Sequence, residues 1–189
     1  MIADIRGSSY AKVASALMRR WVREGVEVVL STPVTLIPLR EAGIGRLHYM
    51  VEGVSVPLVP EICRSGKVTR AAIRTAREVD CILYVGEPLL VSLPDTFTTL
   101  LTLREEAEVY GYFALNYYPL RSSRYAERLE ACFDYVVPVT RYGGGIAART
   151  LSRCRVLEPV PHGVDRSIFK PGAWMRGELG RTIKSRKGV

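Results

Sequence analysis

A small-residue loop, Arg6-Gly7-Ser8-Ser9, runs into the clearest amphipathic pattern in the chain. Tyr10, Val13, Ala14, Leu17, Met18, Trp21 and Val22 recur at three- and four-residue steps, which gives one apolar helix face. Lys12, Arg19, Arg20 and Arg23 fall on the other side. Ser8 or Ser9 can cap the start of this helix, and Gly25 ends it as a left-handed cap. Residues 1–5 supply at best a short strand before the loop, and residues 26–30 a strand after the glycine. Strand, loop, helix and strand in that order imply parallel pairing through a right-handed crossover. Few folds accept such an opening.

The rest of the chain continues the alternation. Residues 47–50 and 54–59 read as two short strands around Glu52-Gly53, either a hairpin or one strand with a bulge. A helix is expected over 67–78, then a buried strand over 80–85, whose apolar run is continuous. Residues 96–107 can be helical with Asp95 as a cap, and 109–115 form an aromatic-rich strand. A helix over 122–132, a strand over 135–139, a helix capped by Thr140 and a closing strand over 155–158 complete the series. The expected fold is α/β: a Rossmann-like, doubly wound, mostly parallel sheet with helices on both faces.

At 189 residues the chain is long enough for one full core and short for two. Its 48% hydrophobic and 24% charged content is that of a globular protein, which sets aside disorder. No apolar run approaches the length of a membrane span, and the N-terminus lacks a signal peptide's apolar segment. Cys63, Cys81, Cys132 and Cys154 are too scattered for a paired metal motif and read as small core residues in a reducing cytoplasm. No metal is expected. Net charge is +8, and residues 170–189 hold six basic side chains against Glu178 alone. This basic tail suits a solvated linker first and peripheral contact with an anionic membrane surface second. It lacks interleaved aromatics, so nucleic acid is not an expected partner.

Ligands of doubly wound sheets bind beyond the carboxyl ends of the strands. That rule selects five loops here: Gly7-Ser8-Ser9, Gly86-Glu87-Pro88, Asn116 to Pro119 with Tyr117, Thr140 to Gly145 with Arg141 and Tyr142, and Pro161-His162-Gly163. The first loop lacks the three-glycine dinucleotide fingerprint and the lysine of a P-loop, so tight helix packing suits it better than phosphate binding. Glu87 is the only carboxylate directly after a buried strand, where it can accept from a sugar hydroxyl or simply face water. Gly143-Gly144-Gly145 could offer N–H groups to an anion, though such a run more often permits close backbone approach. His48 reads as structural or exposed, and His162 as a substrate contact or a brace for its turn. No nucleophile–base signature accompanies either histidine, so no catalytic residue is assigned. The candidate substrate-binding residues are therefore Gly7, Ser8, Ser9, Glu87, Asn116, Tyr117, Arg141, Tyr142, His162 and Gly163.

Three stretches carry a family resemblance. Gly7-Ser8-Ser9 with its helix and Arg23-Glu24-Gly25-Val26-Glu27-Val28 is similar to the opening βαβ of GT-B retaining glycosyltransferases of the family 4-like group. The run from Asp134 to Tyr142 resembles their late strand and its Ser/Thr helix cap, and Pro161-His162-Gly163-Val164-Asp165 with Phe169-Lys170-Pro171 resembles their interdomain hinge. The resemblance implies an N-terminal, acceptor-side domain over 1–165 and a basic linker over 166–189 toward a donor-binding domain, which is lost or on another chain. It further implies metal-independent transfer of a sugar from a nucleotide-sugar, a substrate and not a cofactor, to a sugar or lipid-linked hydroxyl acceptor. Departures include Val26 where histidine is common and Asn116 where a histidine or acid contacts the donor sugar. No two glutamates stand eight positions apart, so the family's paired-glutamate donor motif is absent.

Two other classes fit the same residues. One is a non-catalytic module that recognises a sugar, lipid or protein in the same cleft, and the other is a small nucleotide-binding protein, against which the first loop argues.

Overall fold

The computed structural model describes residues 1–3, 9–31, 47–51, 53–59, 63–64, 67–115 and 123–163. Ten strands and five α-helices are described: β1 Ile2–Ala3, α1 Ser9–Arg23, β2 Leu30–Ser31, β3 Leu47–Val51, β4 Val54–Val59, β5 Cys63–Arg64, β6 Lys67–Val68, α2 Arg70–Arg77, β7 Cys81–Val85, α3 Pro94–Arg104, β8 Glu108–Phe113, α4 Ser123–Cys132, β9 Tyr135–Pro138, α5 Arg141–Thr150 and β10 Arg155–Val156. Eight of the strands form one sheet in the order β10-β9-β8-β7-β1-β2-β4-β3, while β5 and β6 pair by themselves. Every pairing in the large sheet is parallel except β3 with β4 at the edge. The expected Rossmann-like α/β fold is present.

Alternating side chains send the sheet's residues into two cores. Ile2, Ile82, Tyr84, Val109, Phe113 and Val136 meet α2, α3, α4 and α5 on one face. Ala3, Val85, Tyr112 and Val139 meet Ala14 and Met18 of α1 on the other. Crossover handedness explains the uneven division. The chain steps from β1 to β2 in one direction, then crosses back and steps from β7 to β10 in the other. Right-handed connections running in opposite directions must lie on opposite faces.

Local chemistry sets the boundaries. The Gly25 and Val26 N–H groups donate to the Val22 and Trp21 carbonyls, and Gly25 has φ +82°, so α1 closes in a Schellman turn. That turn occupies Val26, which is half-exposed, and strand pairing is delayed until Leu30, four residues later than the apolar run suggests. Thr69 caps α2 by accepting from the Ala72 N–H, which shortens the helix expected from residue 67. Pro94 opens α3 in the first turn, where its missing N–H costs nothing, and Asp95 stands inside the helix instead of capping it. Residues 47–51 and 54–59 form a true hairpin turning at Gly53, with φ +82°. Cys132 and Cys154 are core thiols, pushed up to about 12 and about 11 by burial. Cys81 departs from the core expectation and is exposed, because it opens β7 at the sheet's amino edge.

That edge is closed by charge. Arg104, at the end of α3, bonds Asp134 at 2.9 Å and donates to the Glu130 and Ala131 carbonyls at the end of α4. The other Asp134 oxygen accepts from the Val109 N–H. Glu130 is buried at 7% exposure, and its carboxylate accepts from the Ser152 and Arg153 N–H groups and the Ser152 hydroxyl. Burial opposes its ionisation, but these donors prevail and hold its carboxyl below the usual glutamate range.

Replacing Glu130 by Ala leaves the Ser152 and Arg153 N–H groups without their acceptor and is expected to cost about 1–3 kcal/mol at pH 7 in urea unfolding. A folded-state value below the unfolded one gives stability that is complete above about pH 4.3 and lost as pH falls through the lower folded value. The parent protein therefore loses this contribution in acid, and the Glu130→Ala difference should shrink there. A difference that is the same at pH 7 and pH 3 would contradict this.

Candidate functional site

The chain leaves β1 into α1 on one face and leaves β7 toward α3 on the other, and β1 and β7 are adjacent. Their carboxyl ends form the topological switch point, where connections diverge and leave a crevice. Ser9, the first residue of α1, is exposed there, and Glu87 follows β7 on the same edge. The Tyr10 hydroxyl donates to Glu87 Oε2 at 3.1 Å, which bridges the exits of the two strands. Glu87 is half-buried, and Oε1 makes no hydrogen bond among the described residues. Gly86 has no room for a side chain, since a Cβ would stand 2.8 Å from the Tyr84 hydroxyl. Behind Glu87, Pro88–Ser92 forms a 3-10 turn that the sequence pattern did not reveal.

A second part of the edge is built by α5 and the segment after β10. Thr140 caps α5, its hydroxyl accepting from the Gly143 N–H at 3.0 Å. The Gly144 N–H donates to the Thr140 carbonyl. Both amides are committed, so the glycine run serves close approach and not anion binding. A Cβ on Gly143 would lie 2.7 Å from the Leu115 carbonyl, and one on Gly144 would press on Pro138 and Pro159. Arg141 and Tyr142 are exposed in the first turn of α5, Tyr142 at 68%.

From β10 the chain continues along the sheet as a pinned strap. The Leu157 N–H donates to the Val136 carbonyl and the Val160 N–H to the Pro138 carbonyl, each at 2.9 Å. The buried Tyr112 hydroxyl reaches up from β8 to donate to the Val160 carbonyl at 2.8 Å. Burial pushes the Tyr112 phenol up, so it remains a donor. The His162 ring lies against Tyr112 with centroids 5.6 Å apart, and both His162 and Gly163 are exposed. His162 thus packs at a tilt of 46° against Tyr112 at the carboxyl edge of the sheet. His48 lies on β3, the outermost strand of the sheet, and is exposed, with Nδ1 2.9 Å from the Ser55 hydroxyl across the β3–β4 hairpin.

Of the expected site residues, Ser9, Glu87, Arg141, Tyr142, His162 and Gly163 come to one edge of the sheet. Gly7, Ser8, Asn116 and Tyr117 lie outside the described residues. Sequence reasoning missed Tyr10 and Tyr112. Tyr10 reads as part of an apolar helix face and Tyr112 as part of an aromatic-rich strand, and a hydroxyl at the carboxyl-edge end of each element is the available signal. Among the described residues no group of three His, Cys, Asp or Glu side chains could hold a metal, and no helix is long and apolar enough to cross a membrane. Comparison with family models, curated proteins and solved structures finds no match to this chain.

Tyr112→Phe removes the hydroxyl that holds the strap and should cost about 1 kcal/mol. Amide hydrogen exchange at Val160 should accelerate severalfold while exchange in β8 stays unchanged. Equal acceleration in both places would show that Tyr112 supports the sheet and not the strap.

Proposed function

We propose that this chain is the acceptor-side half of a glycosyltransferase, moving a sugar from a nucleotide-sugar to a hydroxyl acceptor, with a donor-binding lobe contributed beyond its own core. The observation that carries the proposal is the strap. It leaves the last strand along the carboxyl edge, bonded to Pro138 and Tyr112, and delivers His162 and Gly163 beside the edge where Glu87 stands. A connector held there is suited to hinge a second lobe over a shared cleft.

The side chains at this edge are binding groups. Glu87 Oε1, which makes no hydrogen bond among the described residues, can accept from a sugar hydroxyl, while Tyr10 fixes the carboxylate's orientation. His162 and Tyr142 offer ring faces and polar tips, which suit the apolar and hydroxylated sides of a sugar. Nothing on this edge pairs a nucleophile with a base among the described residues. Its contribution to transfer would be positioning, which supplies much of the rate when two substrates are held between lobes.

The non-catalytic alternative uses the same groups for recognition alone. Assays with nucleotide-sugars and hydroxyl acceptors separate the two. The chain alone should show no appreciable turnover, and adding a Rossmann-like donor domain encoded nearby should restore transfer. Glu87→Gln should lower transfer by the reconstituted pair about tenfold, through a raised acceptor KM. Robust turnover by the chain alone would refute the need for a second lobe, and failure of every reconstitution would favour the binding module.

A further inference from the structure

On the amino edge of the sheet, opposite the crevice, Arg104, Glu108, Asp134, Tyr135, Arg153 and Arg155 line an open cavity of about 340 Å³. That volume is within the range of roughly 300–1,000 Å³ typical of small-ligand sites. Its three arginines come from the end of α3, the loop after α5 and the start of β10.

The two carboxylates in the lining are already engaged. Asp134 accepts from Arg104 and from the Val109 N–H. Glu108 accepts from the hydroxyls of Tyr110 and Tyr135, at 3.1 and 3.3 Å, whose rings stack with centroids 4.4 Å apart. Desolvation, with help from Glu108, pushes the Tyr110 phenol up to about 12, so this donor holds through neutral pH. Arg104 is likewise spent on Asp134 and two carbonyls. Arg153 and Arg155 remain. Both side chains are exposed, and neither makes a hydrogen bond or ion pair among the described residues.

Their backbone, by contrast, is clamped. The Arg153 N–H donates to the Glu130 carboxylate at 2.7 Å and the Arg155 N–H to the Asp134 carbonyl at 2.8 Å. Two exposed arginines rooted two residues apart in a fixed turn, beside a third that is immobilised, concentrate positive charge where an anion can lie. Guanidinium forks match phosphoryl oxygens in pairs.

We propose that this cavity is a phosphoryl-binding site in which Arg153 and Arg155 grip a phosphate or diphosphate group. Arg104 is a positioning residue that shapes the wall through Asp134. The site lies on the opposite edge from the crevice and does not depend on the glycosyltransferase reading.

The test is isothermal titration of the whole chain with inorganic pyrophosphate, with ADP, and with sodium sulfate at matched ionic strength. Pyrophosphate should bind saturably at one site, and Arg153→Ser/Arg155→Ser should weaken it at least tenfold. Arg20→Ser/Arg23→Ser, on α1, should leave it unchanged. ADP binding more tightly than pyrophosphate would assign the phosphoryl group to a nucleotide, and equal or weaker binding to a free anion. Circular dichroism checks that the double variant is folded, as expected for two exposed side chains. Unchanged affinity in the Arg153/Arg155 variant, or heats that sulfate reproduces in full, would overturn the proposal and assign anion attraction to net charge.

Discussion

The two residues of β1 are where every layer of this protein meets. Ile2 and Ala3 lie at the middle of an eight-stranded sheet, joined to β2 at Ser31 and to β7 at Tyr84 and Val85. Ile2 faces the four-helix layer and Ala3 faces α1, so each core owns one of them. Both are essentially inaccessible, and Ala3 is small enough to let Ala14 and Met18 seat against the sheet. Because the chain departs from β1 and β7 toward opposite faces, the same short strand that joins the cores also opens the crevice between them.

The two edges of the sheet are built by different physics. The amino edge is closed by ionic groups that satisfy helix ends and strand starts together, with Arg104 and Glu130 each serving two backbone partners and Asp134 one. Such closure fixes the relative positions of α3, α4, β8 and β9. The carboxyl edge is held by hydroxyls and backbone bonds, through Tyr10 on Glu87 and Tyr112 on the strap. Its polar groups retain unused capacity, which a ligand needs.

Much of this was legible in the chain itself. The three-to-four spacing from Tyr10 to Val22 and the glycine at 25 define α1 and its end, and Thr140 announces α5. The continuous run at 80–85 marks the central strand β7, whose Tyr84 and Val85 are buried on opposite faces. What stayed hidden depends on contacts between distant residues. Tyr10 and Glu87 are 77 positions apart, and only the strand order brings them together. Tyr112 and Val160 meet across 48 positions for the same reason. The missing side chain of Gly111 makes room for the Phe113 and Phe133 rings, which meet edge to face at 5.1 Å. Cys81 was misjudged because its type argues for burial while its place at a strand start exposes it.

The account stands on the carboxyl edge being a ligand-binding surface arranged around the β1–β7 junction. Titrating the isotopically labelled chain with a simple glycoside, which has no phosphoryl group for Arg153 and Arg155 to engage, and following amide chemical shifts, tests this directly. Saturable shifts concentrated at Ser9, Gly86, Glu87, Tyr142 and His162, and reduced by Glu87→Gln, are the predicted result. Shifts confined to the amino edge around Asp134 and Arg155, or none at either edge with any sugar ligand, would contradict it.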